Sequence, residues 1–184
     1  DGIRNEEVRA IVSEIKGANP DSYLAEWKSN AAGVDLNRNF GIAHWAAMDS
    51  LRKNPSNQLY KGPSPNSEPE TKALISLTQS LENLVCVVSY HSQGEVIYWD
   101  CGQKGKLRED TLKLAEAAVS LNNYKTHNSF TAPDATFDDW CVLNLGVPAI
   151  NIETGLGVCP LNISEFEKIW NGNYLMWAKI AEIF

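Results

Sequence analysis

Four side chains in this sequence are of types that hydrolytic and binding chemistry uses, and each stands where a fold can present it to a ligand: Asn37, Arg38, His91 and Glu153. His91 follows the apolar run Leu84-Val85-Cys86-Val87-Val88 and precedes Ser92-Gln93-Gly94. That valine-rich run predicts a strand covered on both faces, with the histidine at its carboxyl end. Glu153 closes a second apolar stretch, Val147 to Ile152, just before Thr154-Gly155-Leu156-Gly157. Ligands collect at the carboxyl ends of strands in α/β sheets, so the matching placement of an imidazole and a carboxylate singles both out. A lone histidine is otherwise more often structural than chemical.

Asn37 and Arg38 belong to Gly33-Val34-Asp35-Leu36-Asn37-Arg38-Asn39-Phe40, where polar side chains are packed among apolar ones with neither helical nor strand period. Two readings stay open. The segment is a loop whose Asn and Asp side chains satisfy their own backbone. Alternatively it is a site where the Arg38 guanidinium forks onto a carboxylate.

The elements that must position these residues follow from pattern. Asn5 can cap a helix carrying Val8, Ile11, Val12 and Ile15 on one face until Gly17. Ser67-Glu68-Pro69-Glu70 reads as a capping box, with Leu74, Leu77 and Leu81 as the buried face of its helix. Leu107, Thr111, Leu114, Ala118 and Leu121 mark a helix over 106–122, followed by a short strand at Tyr124 to Asn128 and a short helix around Asp138-Asp139-Trp140 that Gly146 follows. A second capping box, Ser164 to Glu167, opens the last helix, with Phe166, Ile169, Trp170, Asn173, Trp177 and Ile180 as its inward stripe. Strands alternating with helices predict one α/β domain over 1–184, a mixed and mostly parallel sheet between helical layers.

Composition removes several classes of function. A net charge of −7 without clustered Lys or Arg argues against nucleic acid. No apolar run is long enough to cross a bilayer. Cys86, Cys101, Cys141 and Cys159 lack CxxC spacing and read as packing residues. Two SxxK matches, Ser13 to Lys16 and Ser50 to Lys53, lie in ordinary surface contexts. Nothing here specifies a cytoplasmic or an exported location.

Taken in order and spacing, Gly33 to Phe40, His91-Ser-Gln-Gly-Glu-Val-Ile-Tyr-Trp99 and Asn151-Ile-Glu-Thr-Gly155 resemble the zinc carboxypeptidase family, and most of all its bacterial branch that cleaves γ-D-glutamyl–diaminopimelate bonds in peptidoglycan. The resemblance covers essentially the whole chain. It implies that His91 is the last of three protein ligands to a catalytic zinc and that Glu153 is the general base for the attacking water. It also implies that Asn37 and Arg38 hold the terminal carboxylate of a peptide substrate. The family's upstream HxxE motif, which supplies the other two zinc ligands, has no match, and His44 and His127 lack that context. Asp1-Gly2 look like the end of the family's Asn-Pro-Asp-Gly segment, so the N-terminal third of the domain is expected to be absent and 1–184 to be the C-terminal two-thirds.

Ser129-Phe130-Thr131-Ala132-Pro133 offers no phenol where the family has a tyrosine, and no second arginine is matched. The chain alone is therefore expected to bind zinc weakly or not at all and to be inactive, although the resemblance implies that its complete form is a metallopeptidase. The rival expectation is an inactive peptide- or carboxylate-binding module of the same fold. An exposed sheet edge near Leu84 to Tyr90 is expected to favour self-association.

Overall fold

The computed structural model describes residues 6–16, 19–49, 52–127 and 134–184. In chain order these form helix α1 (Glu6–Lys16), α2 (Pro20–Ala25), α3 (Pro69–Gln79), strand β1 (Val87–His91), β2 (Val96–Tyr98), α4 (Gly105–Asn122), β3 (Lys125–Thr126), α5 (Phe137–Trp140), β4 (Ala149–Glu153), α6 (Phe166–Asn173) and α7 (Met176–Ile183). Short 3-10 turns cover Leu36–Arg38, Trp45–Ala47 and Ile163–Glu165, and a π-helical turn, Cys141–Leu145, extends α5. The expectations placed on Asp1-Gly2, Asn5, Gly17 and Ser129 to Pro133 lie outside the described residues.

The sheet has the order β1-β4-β2-β3. β1 pairs with β4 and β2 with β3 in parallel, while β2 and β4 run antiparallel. It is therefore mixed and mostly parallel, as the sequence pattern predicted.

Alternation along the strands divides the molecule. Ile150 and Ile152 of β4 and Ile97 of β2 point to one face and pack with Leu114, Ala115 and Ala118 of α4 and with Met176 and Ile180 of α7. On the opposite face, Val87 and Ala149 join Phe40, Trp45, Trp140 and Cys141 in a second core, with Leu74 and Ile75 of α3 against it. Helical segments thus cover both faces.

Several local expectations are corrected. β1 runs to His91 and, among the described residues, is an edge strand paired with β4 alone, so its residues are half-buried or exposed. Leu77 and Leu81 face solvent, and the inward line of α3 is instead Thr71, Leu74, Ile75 and Thr78. The first capping box does not form. Ser67 Oγ donates to Glu68 Oε1 at 2.6 Å and accepts from Asn39 Nδ2 at 3.0 Å, so Glu68 becomes the N-cap without a side-chain cap bond. At the second box the capping side chain is Asn162, which accepts from Ser164 N at 3.0 Å.

The stripe assigned to the last helix is also displaced. Phe166, Trp170 and Trp177 are exposed, and Phe166, Trp170 and Tyr174 stack on one another along the outside. The chain breaks between α6 and α7, and Met176 and Ile180 take the inward positions on α7. Both lines have helical spacing, so periodicity alone does not select between them.

Candidate active site

His91 and Glu153 are direct partners in the parallel register of β1 and β4. The strand ends are tied beyond the ladder: Thr154 donates to the His91 carbonyl oxygen from its backbone N at 2.8 Å and from Oγ1 at 2.9 Å. Gly155 follows with φ +71°, where a side chain would collide with Leu161 and Ile169, so glycine permits the turn that releases the chain from the site. Two-residue periodicity then puts Asn151 on the same face as Glu153, and Tyr98, the register partner of Asn151, beside it. Asn151 Nδ2 approaches Glu153 Oε1 at 3.5 Å.

The polar loop before Phe40 contains both kinds of residue that its sequence allowed. Asp35 and Asn39 are structural. Asp35 Oδ2 accepts from Leu59 N at 2.9 Å, and fully buried Asn39 donates through Nδ2 to Lys61 O, Ser64 O and Ser67 Oγ. These bonds hold the Leu36–Arg38 turn against the fold, and Asn37 and Arg38 are presented to a cavity. Asn37 Oδ1 accepts from Phe137 N at 3.0 Å, which leaves its amide nitrogen as the donating end. Arg38 donates from Nη1 to Asn37 O at 2.7 Å and has Nη2 3.4 Å from Asp134 Oδ2. That pair is long and Asp134 is mostly exposed, so it is a weak competitor for the guanidinium.

Asn37, Arg38, His91 and Glu153 all line this one cavity, of about 670 Å³. The structure adds residues that sequence reasoning passed over: Lys28, Tyr98, Asp138 and Asn151 also line it. Asn151 was legible in principle, two residues before Glu153 on a strand. Asp138 was marked in the sequence only by its place in a short helix. Lys28 gave no local signal.

Electrostatics differ across the cavity. Burial pushes the His91 imidazole below its usual range, Glu153 pulls it up, and Lys28 and Arg38 push it further down. A neutral imidazole is the form that coordinates metal. At another lining residue, burial and the neighbouring Asp139 push the Asp138 carboxyl up to about 7. Asp139 is itself raised by burial, although its Oδ2 accepts from Asp134 N at 2.7 Å and its own backbone N donates to Thr136 Oγ1 at 3.2 Å.

A family model described as zinc carboxypeptidase, peptidase M14, matches residues 12–176. The chain belongs to the zinc carboxypeptidase family. It is 33% identical over 145 residues to the γ-D-glutamyl-L-diamino acid endopeptidase 1 of Lysinibacillus sphaericus, covering 78% of this chain and 35% of that protein. It is 30% identical over 158 residues to mouse carboxypeptidase B2, covering 70% of this chain and 37% of that one. Among solved structures, the murein-tripeptide amidase of Escherichia coli O157 aligns with TM-score 0.53 at 25% identity, over 84% of this chain and 59% of its own. Bovine thrombin-activatable fibrinolysis inhibitor, solved with a tick carboxypeptidase inhibitor, aligns with TM-score 0.65 at 25% identity, over 81% and 56%. The chain thus spans from about a third to less than half the length of these curated relatives.

A catalytic zinc takes three protein donors. Among the described residues no group of three His, Cys, Asp or Glu is placed to hold a metal ion, so the donor set described here does not fit a complete zinc centre. No helix of the described residues is long and apolar enough to cross a membrane.

Proposed function

We propose that this chain is the C-terminal part of a peptidase domain that hydrolyses a peptide bond next to a free carboxylate, with bacterial cell-wall peptides of the γ-D-glutamyl–diaminopimelate type as substrate. The observation that carries this reading is the meeting of Arg38, Asn37, His91 and Glu153 in one cavity. Arg38 forks onto the substrate carboxylate with the Asn37 amide donating beside it, which fixes the register of the scissile bond. Glu153, at the end of a buried strand, takes a proton from the attacking water and returns it to the leaving amine. His91 contributes one imidazole donor. The choice of substrate is supported by the printed names of two relatives, a γ-D-glutamyl-L-diamino acid endopeptidase and a murein-tripeptide amidase.

This reading requires a histidine and a glutamate spaced HxxE in sequence outside these 184 residues. A full-length sequence without them would favour the second reading, a carboxylate-binding module of the same fold, for which the single imidazole donor speaks. The deciding assay is hydrolysis of a γ-D-glutamyl–diaminopimelate peptide by the full-length protein, with and without chelator. Glu153→Gln is expected to lower kcat by about 10²–10⁴-fold while substrate still binds. Unchanged turnover in that variant removes Glu153 from the chemistry.

A further inference from the structure

Resting on the hydrolytic role proposed above for Glu153, we infer that Thr154 is a positioning residue: its hydroxyl locks the end of β1 so that the His91 imidazole keeps a fixed place against the Glu153 carboxylate. The need for such a lock follows from the sheet. Glu153 closes a strand paired on both sides, with His91 of β1 and with Val96 of β2. His91 closes a strand that, among the described residues, pairs with β4 alone. A group at the end of a one-sided strand is less restrained than its partner, and catalysis depends on the placement of the two.

The connection from β1 to β2 adds to the weakness. Because β4 lies between those strands, residues 92–95 must cross over its carboxyl end, outside any strand. Several ties fasten this crossing to the segment after Glu153. Gly94 N donates to Gly155 O at 2.8 Å, Cys159 Sγ lies 3.5 Å from Ser92 O, and Lys168 Nζ pairs with Glu95 Oε1. These ties hold residues beyond His91. The thiol is a weak donor, and the ion pair is exposed at Lys168, where such pairs contribute little.

Thr154 touches His91 itself. Its backbone N donates at 2.8 Å and its Oγ1 at 2.9 Å to the same His91 carbonyl oxygen, so both lone pairs of that oxygen are engaged by one residue. Thr154 is 8% exposed, so water does not readily replace the hydroxyl there. A valine in its place is nearly isosteric and keeps the backbone bond while removing the second. The peptide plane after His91 then swings about a single hydrogen bond and carries the imidazole with it. The carboxylate clamp is untouched, since Asn37 and Arg38 sit on a turn held by Asp35 and Asn39. Turnover therefore depends on Thr154 Oγ1, and substrate binding does not.

The test uses the full-length protein and the γ-D-glutamyl–diaminopimelate peptide. Thr154→Val is expected to lower kcat about tenfold, short of the ~10² that a displacement of about 1 Å can cost, with KM held within about twofold, and Thr154→Ser to restore turnover. Leu114→Ala, in the core beneath α4, is the control: it loses stability and is expected to keep kcat at a temperature where circular dichroism shows every variant folded. Unchanged kcat in Thr154→Val, a loss of equal size in Leu114→Ala, or a loss shared by Thr154→Ser overturns the positioning role. A further readout needs no variant. In NMR spectra of the unmodified protein the Thr154 hydroxyl proton is expected to be protected from solvent exchange, and exchange as fast as that of a free hydroxyl overturns the lock. If the peptide is not hydrolysed at all, the proposed function fails and the lock is still decided by the mobility of the His91 ring, measured by NMR relaxation with chelator present. Greater mobility in Thr154→Val than in the unmodified protein upholds it, and equal mobility overturns it.

Discussion

Ile150 and Ile152 on one face of β4 are fully buried against helices, whereas Asn151 and Glu153, each one residue away, line a polar cavity on the other. The same five-residue strand therefore supplies stability with one set of side chains and chemistry with the next. The cavity face itself changes along the strands. At their start Val87 and Ala149 are sealed in the second core, and at their end His91 and Glu153 meet polar loops. A site on such a strand is held rigidly because its neighbours in sequence are anchored in apolar packing.

The contrast is broken most strongly at Ile152. Ile152→Ala leaves a cavity between the sheet and α4 and is expected to cost about 2–5 kcal/mol, whereas Glu153→Gln, one residue on, is expected to shift stability by under about 0.5 kcal/mol. Denaturant titration of both variants checks this. Similar losses would mean that the cavity face is as structural as the core face.

A smaller effect sharpens the picture at Asp138. Its folded-state pKa lies above the ordinary 3.8, so the native protein prefers the protonated carboxyl. That preference supports the fold fully below about pH 4 and is lost as pH rises through about 7. Asp138→Asn is therefore expected to raise the melting temperature at pH 8 and to leave it nearly unchanged at pH 4. Thermal unfolding at the two pH values reads the difference, and the opposite pattern would mean that the ionised carboxylate is stabilised in the cavity.

The smallest effect concerns the sheet's free side. β1 is an edge strand, and Val85 and Tyr90 on and beside it are 49% and 44% exposed. Concentration-dependent association is expected through this edge, and lysines at both positions should reduce it. Light scattering that shows a monomer at high concentration would set the expectation aside.

Much of this was legible in the sequence, because local structure depends on local spacing. The α4 line Thr111-Leu114-Ala118, the buried run ending in Glu153 and the turn after it all stand where the pattern put them. Asn37, Arg38, His91 and Glu153, which the family resemblance linked, line one cavity. The errors share one cause. Leu77, Leu81, Phe166, Trp170 and Trp177 have sound helical periods and the wrong phase, because which line of an apolar helix turns inward is decided by what packs against it. Ser67 illustrates the same point for polar groups: its hydroxyl could cap a helix, but Asn39, 28 residues earlier, claims it.

The sequence by itself determined the helices and strands, the polar character of the Arg38 loop and the two strand-end groups. Periodicity, turn chemistry and residue type are properties of neighbours along the chain. Only the tertiary structure decided that Lys28, Asp138 and Asn151 share a cavity with Arg38 and Glu153, and that Asp138 carries a carboxyl pushed up to about 7. Burial and the field of other charges belong to neighbours in space, and no spacing within the sequence encodes them.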